Sequence, residues 1–304
     1  MSFFDVLKNV LIILFTIQFV PVLVENVSKQ YAGYFQEKTS IGVIKINKPL
    51  YDATPYIRQF RDLCKDSHIK AIVLRIDCPG SSAGAAQSLF EEIVELKKEY
   101  SKPVISYVPN IATSGGYWIS CSADYIIAQG TSLIGSIGAT FPHLFQIKEF
   151  LDQHKVSAIT LKSGAYKTIG DPFSVMTPQE KALLQGVLDD SYDQFVTTVS
   201  DARKISKNSL HEWAEGKIFT GRQAKKLGLV DELGSVHALM NAIKDRALVV
   251  GQIDWVYHKQ PTNFLRSIFN WQEDDDADDG QLFSTFLEKI YTFLERKFCQ
   301  GPIF

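Results

Sequence analysis

Through its central two thirds, the chain alternates short apolar runs with amphipathic stretches. Residues 71–76 (AIVLRI) are almost continuously apolar, the pattern of a strand buried on both faces. Residues 41–46 (IGVIKI) and 103–108 (PVISYV) read the same way, and 125–128 (YIIA) is a shorter example. Helical spacing fills the gaps. Residues 55–64 place Tyr56, Phe60 and Leu63 on one side, and residues 85–99 carry Leu89, Ile93 and Leu96 as an inner stripe. Further along, 141–151 predicts a helix and 155–161 a strand. Thr177-Pro178-Gln179-Glu180 is a capping box with proline at the first helical position. It opens a long helix to about residue 202, with Leu184, Val187, Leu188, Tyr192 and Phe195 as its apolar face. A helix ending at Gly228, a short strand, a helix over 235–248 and a strand over 253–257 complete the pattern. Strands alternating with helices predict an α/β fold with a largely parallel sheet.

The two ends differ from this middle. Residues 10–24 (VLIILFTIQFVPVLV) are apolar but interrupted by Thr16, Gln18 and Pro21. At about 1.5 Å per residue they span roughly 22 Å, against a hydrocarbon core of ~30 Å. That suits a signal-peptide hydrophobic region or a short membrane anchor, and no small-x-small cleavage pattern follows. The expectation is an uncleaved anchor over 1–29 and a polar linker over 30–40. At the other end, 273–280 (EDDDADDG) reads as a solvated acidic linker, and 281–298 as an amphipathic helix. Residues 261–304 are therefore set apart from a main domain over 41–260.

Composition adds three constraints. With 304 residues, 45% of them hydrophobic, there is ample material for a core. A net charge of -2 supplies no basic field for nucleic acid. The four cysteines (Cys64, Cys78, Cys121, Cys299) lack metal-like spacing, and Cys78 and Cys121 read as buried thiols rather than a disulfide.

Candidate chemistry gathers in two turns of small residues, each following a buried strand: Pro79–Gly84 and Thr113–Gly116. Parallel neighbouring strands would bring both to one carboxyl edge, where α/β sites lie. Ser114 precedes Gly115-Gly116 at a strand-to-helix junction. Glycines there allow a sharp turn and close substrate approach, so a nucleophile fits; so does a plain serine N-cap. A nucleophilic serine needs a base. Of six histidines, only His143, after Phe141-Pro142, has a motif-like setting. The other candidate is Lys167, in Ser163-Gly164-Ala165-Tyr166-Lys167. A lysine among small and apolar residues is a candidate for desolvation, which favours the neutral amine that can accept a serine proton.

These motifs, taken in order, resemble signal peptide peptidase A (protease IV), of the short, single-domain type. The matching pieces are the Pro79-Gly80 turn, Ser114-Gly115-Gly116-Tyr117 with Ala123-Asp124, Gly135-Ser136-Ile137-Gly138, and Ser163-Gly164-Ala165-Tyr166-Lys167. Met176-Thr177-Pro178, Thr220-Gly221-Arg222-Gln223-Ala224 and Gly228-Leu229-Val230-Asp231 continue the likeness, which covers about residues 41–248. The resemblance implies a Clp-protease/crotonase-like superhelix of repeated β-β-α turns behind a membrane anchor. It implies Ser114 as nucleophile, Lys167 as general base, and an oxyanion hole from the amides of Gly115 and the Gly80–Ser81 turn. It further implies no metal or cofactor, a ring-like homo-oligomer whose sites combine neighbouring subunits, and cleavage of hydrophobic peptides such as spent signal peptides. The implied place is a bacterial inner membrane, single-pass, with the catalytic domain outside the cytoplasm. One departure stands out. The family turn usually reads Ser-Pro-Gly-Gly, and here it is Cys78-Pro79-Gly80-Ser81; a positive φ at position 81 would cost a serine about 1 kcal/mol. A catalytically idle scaffold of the same fold and an acyl-CoA enzyme of crotonase type are the other readings.

Overall fold

The computed structural model describes residues 3–32, 38–141, 143–247 and 249–257. The chain divides into two compact units, Met1–His258 and Lys259–Phe304. The acidic run and the amphipathic helix expected in the second unit lie outside the described residues.

In order, the first unit runs α1 (Phe3–Ala32), β1 (Lys38–Ile46), α2 (Thr54–Lys65), β2 (Ile69–Ile76), α3 (Ala83–Tyr100), β3 (Val104–Val108), β4 (Ile111–Thr113), α4 (Gly115–Ser120), β5 (Tyr125–Ala128) and β6 (Leu133–Gly135). It continues with α5 (Lys148–Gln153), α6 (Pro178–Arg203), α7 (Leu210–Trp213), β7 (Ile218–Thr220), α8 (Gly221–Lys226), β8 (Glu232–Leu233), α9 (Val236–Ala247) and β9 (Gln252–Tyr257). Six strands form one sheet in the order β8-β5-β3-β2-β1-β9, and every neighbouring pair in it is parallel. A second, three-stranded sheet, β4-β6-β7, holds one antiparallel pair, β6 with β7.

The apolar runs explain the layering. Along β2, Ile72, Leu74 and Ile76 join the core beneath α2, α3 and α4, while Ala71 and Val73 face α9 and its Leu239, Ala242 and Ile243. A strand with helices on both faces has no solvated side, so its sequence does not alternate. Cys78 and Cys121 are buried free thiols, as their settings predict, and so is Cys64.

Two short bridges tie the strand ends together. Leu50, beyond β1, pairs with Ser81, beyond β2; Cys78, just after β2, pairs with Ala112 on β4. Consecutive crossovers are thereby stitched at the carboxyl edge of the large sheet, the edge that carries the small-residue turns.

Two expectations are corrected. The helix predicted over 141–151 shrinks to α5, and the strand predicted over 155–161 does not form. None of the described residues from 139 to 177 is buried, so alternation at 156–161 has neither a core nor a sheet edge to act on. At the N-terminus α1 is continuous through Pro21 to Ala32, and β1 starts at Lys38. Among the described residues, no helix is long and apolar enough to cross a membrane.

Candidate active site

Ser114 lies between β4 and α4 with φ +53° and ψ -128°. A non-glycine residue held there costs roughly 1–3 kcal/mol, offset by the surrounding structure. The anchors are visible. Ser114 N–H donates to the Gly135 carbonyl at 2.8 Å, and its own carbonyl accepts from Tyr117 N–H (2.9 Å) and Trp118 N–H (3.0 Å). Its side chain makes no capping hydrogen bond. The plain N-cap reading of this serine therefore fails: the strained backbone presents the hydroxyl instead of spending it on the helix.

The glycines after it are dictated by close approach. A Cβ on Gly116 would stand 2.4 Å from the Cys78 carbonyl oxygen, and one on Gly115 would stand 1.7 Å from Ser81 Oγ and 2.7 Å from Ser81 Cβ. A Cβ on Gly80 would lie 3.6 Å from Ser114 Cβ and 3.8 Å from its Oγ. The two turns thus meet, as parallel β2 and β3 require. Among the described residues, the amides of Ser81 and Gly115 donate to no backbone carbonyl, while the Gly80 amide is turned toward the Cys78 sulfur. These are the residues expected to form an oxyanion hole. Ser81 is not among the residues of positive φ, so the substitution in this turn costs no backbone strain. The turn is pinned by Leu50 N–H to the Gly80 carbonyl (3.1 Å), Ser82 N–H to the Leu50 carbonyl (3.0 Å) and Thr113 Oγ1 to the Pro79 carbonyl (2.9 Å). Burial pushes the Cys78 thiol above its usual range, and its Sγ–H donates to the Gly80 carbonyl.

Ser114, Ser81 and Gly115 open into a cavity of about 420 Å³. Its apolar wall is Trp118, Phe141, Val187, Leu188 and Phe195, with Trp118 and Phe195 stacked at 4.4 Å between ring centroids. Its polar wall is Ser136, Thr140 and Ser191. None of the described residues lining it is ionisable. Lys167 is exposed in a turn of the 139–177 arm, its N–H donating to the Gly164 carbonyl, and does not line the cavity of its own chain. His143 is exposed beside Phe145 and does not line it either. One chain therefore brings together Ser114, Gly115, Gly80 and Ser81, and leaves out both candidate bases.

The remaining motifs serve positioning. Asp231 accepts from Arg203 Nη1 (2.9 Å) and Nη2 (2.7 Å) and from Ile126 N–H (2.7 Å), while Arg203 Nε donates to the Gly228 carbonyl. Tyr117 Oη, deep in the core, donates to the Leu229 carbonyl at 2.7 Å. Burial drives the Tyr117 hydroxyl well above its ordinary range. Asp124 accepts from Val104 N–H and pairs with Lys97 at 2.5 Å. The Thr220/Gln223 pair is a capping box for α8. In Gly135–Gly138, Gly135 and Ser136 both have positive φ, and Ser136 N–H donates to the Lys217 carbonyl at 2.6 Å. Ser136 and the apolar wall from α6 are site residues that no single motif announced. Their only sequence signal was the Gly-Ser-Ile-Gly run and the apolar face predicted for the long helix.

A serine presented on a strained strand-to-helix turn beside free amides and an apolar cavity is the layout of an acyl-transfer hydrolase. Residues 96–249 match Peptidase family S49. "Putative protease MJ0651" of Methanocaldococcus jannaschii is 36% identical over 228 residues, covering 74% of this chain and 72% of that protein. "Putative signal peptide peptidase SppA" of Enterococcus faecium is 27% identical, covering 81% and 70%. "Protease 4" of Haemophilus influenzae is 33% identical over 65% of this chain, which spans only 33% of that longer protein. The chain belongs to peptidase family S49, the signal peptide peptidase A group, and is a peptidase.

Proposed function

We propose that this peptidase is a serine endopeptidase with a Ser–Lys dyad, acting on hydrophobic peptides such as signal peptides. The observation that carries the proposal is the strained, uncapped Ser114 beside the Ser81 and Gly115 amides, which donate to no backbone carbonyl. In this reading Ser114 is the nucleophile. Lys167 is the general base and then the acid. The amides of Gly115, Gly80 and Ser81 stabilise the oxyanion. The apolar wall supplies affinity for a hydrophobic side chain next to the cleaved bond.

Lys167 reaches the serine from a neighbouring copy. Two features support this. Among the described residues, the cavity is lined by no ionisable group, and the arm that carries Lys167 leaves large apolar side chains uncovered, among them Phe145, Ile159 and Leu161. A homo-oligomeric ring would cover that surface and complete each site. The β3–β4–α4 order and the stitched crossovers support the β-β-α superhelix of the Clp-protease and crotonase folds. From Ile12 to Val24, α1 exposes ten large apolar side chains, which supports association with a bacterial inner membrane.

Hydrolysis of a fluorogenic hydrophobic peptide tests the dyad. Ser114→Ala and Lys167→Ala are each expected to lose more than about a thousandfold in kcat, with assembly intact. Co-refolding the two inactive variants is expected to restore about one site in four, as a heterologous interface requires. Full activity in Lys167→Ala overturns the dyad; no complementation overturns the shared site. A scaffold without activity would give no Ser114-dependent turnover on any peptide.

A further inference from the structure

The side chain of Ser81, not only its amide, stands in the site. We propose that the Ser81 hydroxyl is an additional hydrogen-bond donor to the oxyanion, a catalytic residue of this chain beyond the backbone amides. The inference rests on the serine-peptidase reading above.

The geometry is local. Ser81 Oγ occupies the volume where a Cβ of Gly115 would be, 1.7 Å from that point, and Ser81 N lies 3.1 Å from the same point. Gly115 N–H, Ser81 N–H and Ser81 O–H therefore cluster on one side of Ser114, in the wall of the same cavity. Only the absence of a Gly115 side chain leaves room for the hydroxyl. In the unliganded chain this hydroxyl donates to the carbonyl of the next residue, Ser82, at 2.8 Å, in an exposed and purely local bond. Rotation about one side-chain bond exchanges that acceptor for another at little cost, because the Ser82 carbonyl keeps the hydrogen bond it accepts from Ala86 N–H at 3.1 Å. Ser81 lacks positive φ, so nothing in the backbone penalises a side chain here.

In the chemical step, Ser114 Oγ bonds to the peptide carbonyl carbon and its proton passes to the lysine amine. The carbonyl oxygen takes up the π electron pair as an oxyanion. Ser81 donates a hydrogen bond to that oxygen and keeps its proton. When the C–N bond breaks, the leaving amine takes the proton from lysine and the carbonyl reforms. A hydroxyl acting this way stabilises the tetrahedral species and not the bound peptide, so it shows in kcat.

The test uses the full chain and Ser81→Ala, Ser81→Gly and Ser81→Thr, with Ser114→Ala as control. Turnover of the fluorogenic peptide and inhibition by a peptide boronic acid, a tetrahedral mimic, are measured together with assembly size. Ser81→Ala and Ser81→Gly are expected to lower kcat by about 10- to 100-fold, with KM within about twofold and boronate affinity falling in parallel. Ser81→Thr, which keeps the hydroxyl, is expected to retain kcat within about fivefold. Unchanged or raised kcat in Ser81→Ala and Ser81→Gly overturns the proposal, a rise marking the hydroxyl as an obstruction. A loss that Ser81→Thr does not rescue overturns it too, since packing then explains the effect. If the unmodified chain shows no Ser114-dependent turnover, the peptidase reading itself fails and this inference falls with it; unchanged kcat in an active enzyme removes this inference alone.

Discussion

The turns around Ser114 and the arm around Lys167 are built on opposite principles. The serine sits where β2, β4 and α4 close on one another. Its neighbours Tyr117 and Ile119 are wholly buried, and its backbone is tied to Gly135, Tyr117 and Trp118. The arm from 139 to 177 has no buried residue among those described, and most of its internal ties join near neighbours in sequence, Ile147 N–H to the Pro172 carbonyl and Thr160 to Asp171 being longer-range ones. A nucleophile in a strained conformation needs a rigid frame to hold the strain. A segment that finishes its packing against another copy needs the reverse: apolar side chains left uncovered until assembly. The contrast teaches that the chain holds Ser114 in a packed frame and leaves the proposed base, Lys167, on an exposed arm.

That contrast is open to attack by mutation. The largest effect on stability is expected for Asp231→Ala. It leaves Arg203, 9% exposed, without its bidentate partner and removes the acceptor of Ile126 N–H, so urea unfolding should register a loss of about 3 kcal/mol. Gly116→Ala comes next. The Cys78 carbonyl at 2.4 Å is backbone and cannot swing away, so about 1–3 kcal/mol of stability is expected to go, together with turnover as the two turns are forced apart. Leu161→Asp or Ile159→Asp, at positions 93% and 85% exposed, should move the unfolding free energy by no more than about 0.5 kcal/mol. The same variants should nonetheless dissociate the assembly in sedimentation velocity and abolish turnover. Intact assembly and activity in both would erase the distinction between frame and arm.

The last effect is confined to alkaline pH and is absent near neutrality. Burial raises the Cys64 thiol to about 11 and Cys121 to about 12 from an ordinary 9.0, and both belong to the framed half. Above pH 9.0 the unfolded chain loses these protons while the folded chain keeps them, so stability falls as pH rises from 9.0 toward 11 and 12. Below 9.0 these thiols make no contribution to the slope. The urea midpoint should be flat with respect to them near neutrality and decline above 9.0, and Cys64→Ala with Cys121→Ala should flatten the decline.

Much of the frame was legible from residues alone. Runs such as 71–76 are too apolar for anything but a strand covered on both faces, and the capping box at Thr177 has the geometry its residues predict. Ser114 could be singled out from its glycines, because only a turn of unusual closeness requires two in succession. The strand expected at 155–161 failed for a physical reason: alternation states which face a strand would bury, but not whether a partner exists to bury it. The Gly135–Gly138 run marked a glycine-rich loop but not Ser136 as a site residue, because positive φ at a serine leaves no trace in its neighbours.

What the amino-acid order determined by itself is the alternation of buried strands and helices, the two small-residue turns, and the pairing of each with a strand end. Those follow from local periodicity and from the steric freedom of glycine, which act over a few residues. The tertiary structure alone decided that Ser114 has positive φ and makes no cap, that Ser81 projects over Gly115, and that the site cavity of one chain contains no base. Each of these depends on how close segments distant in sequence approach, and approach distances are set by the packed core rather than by any residue's own preference.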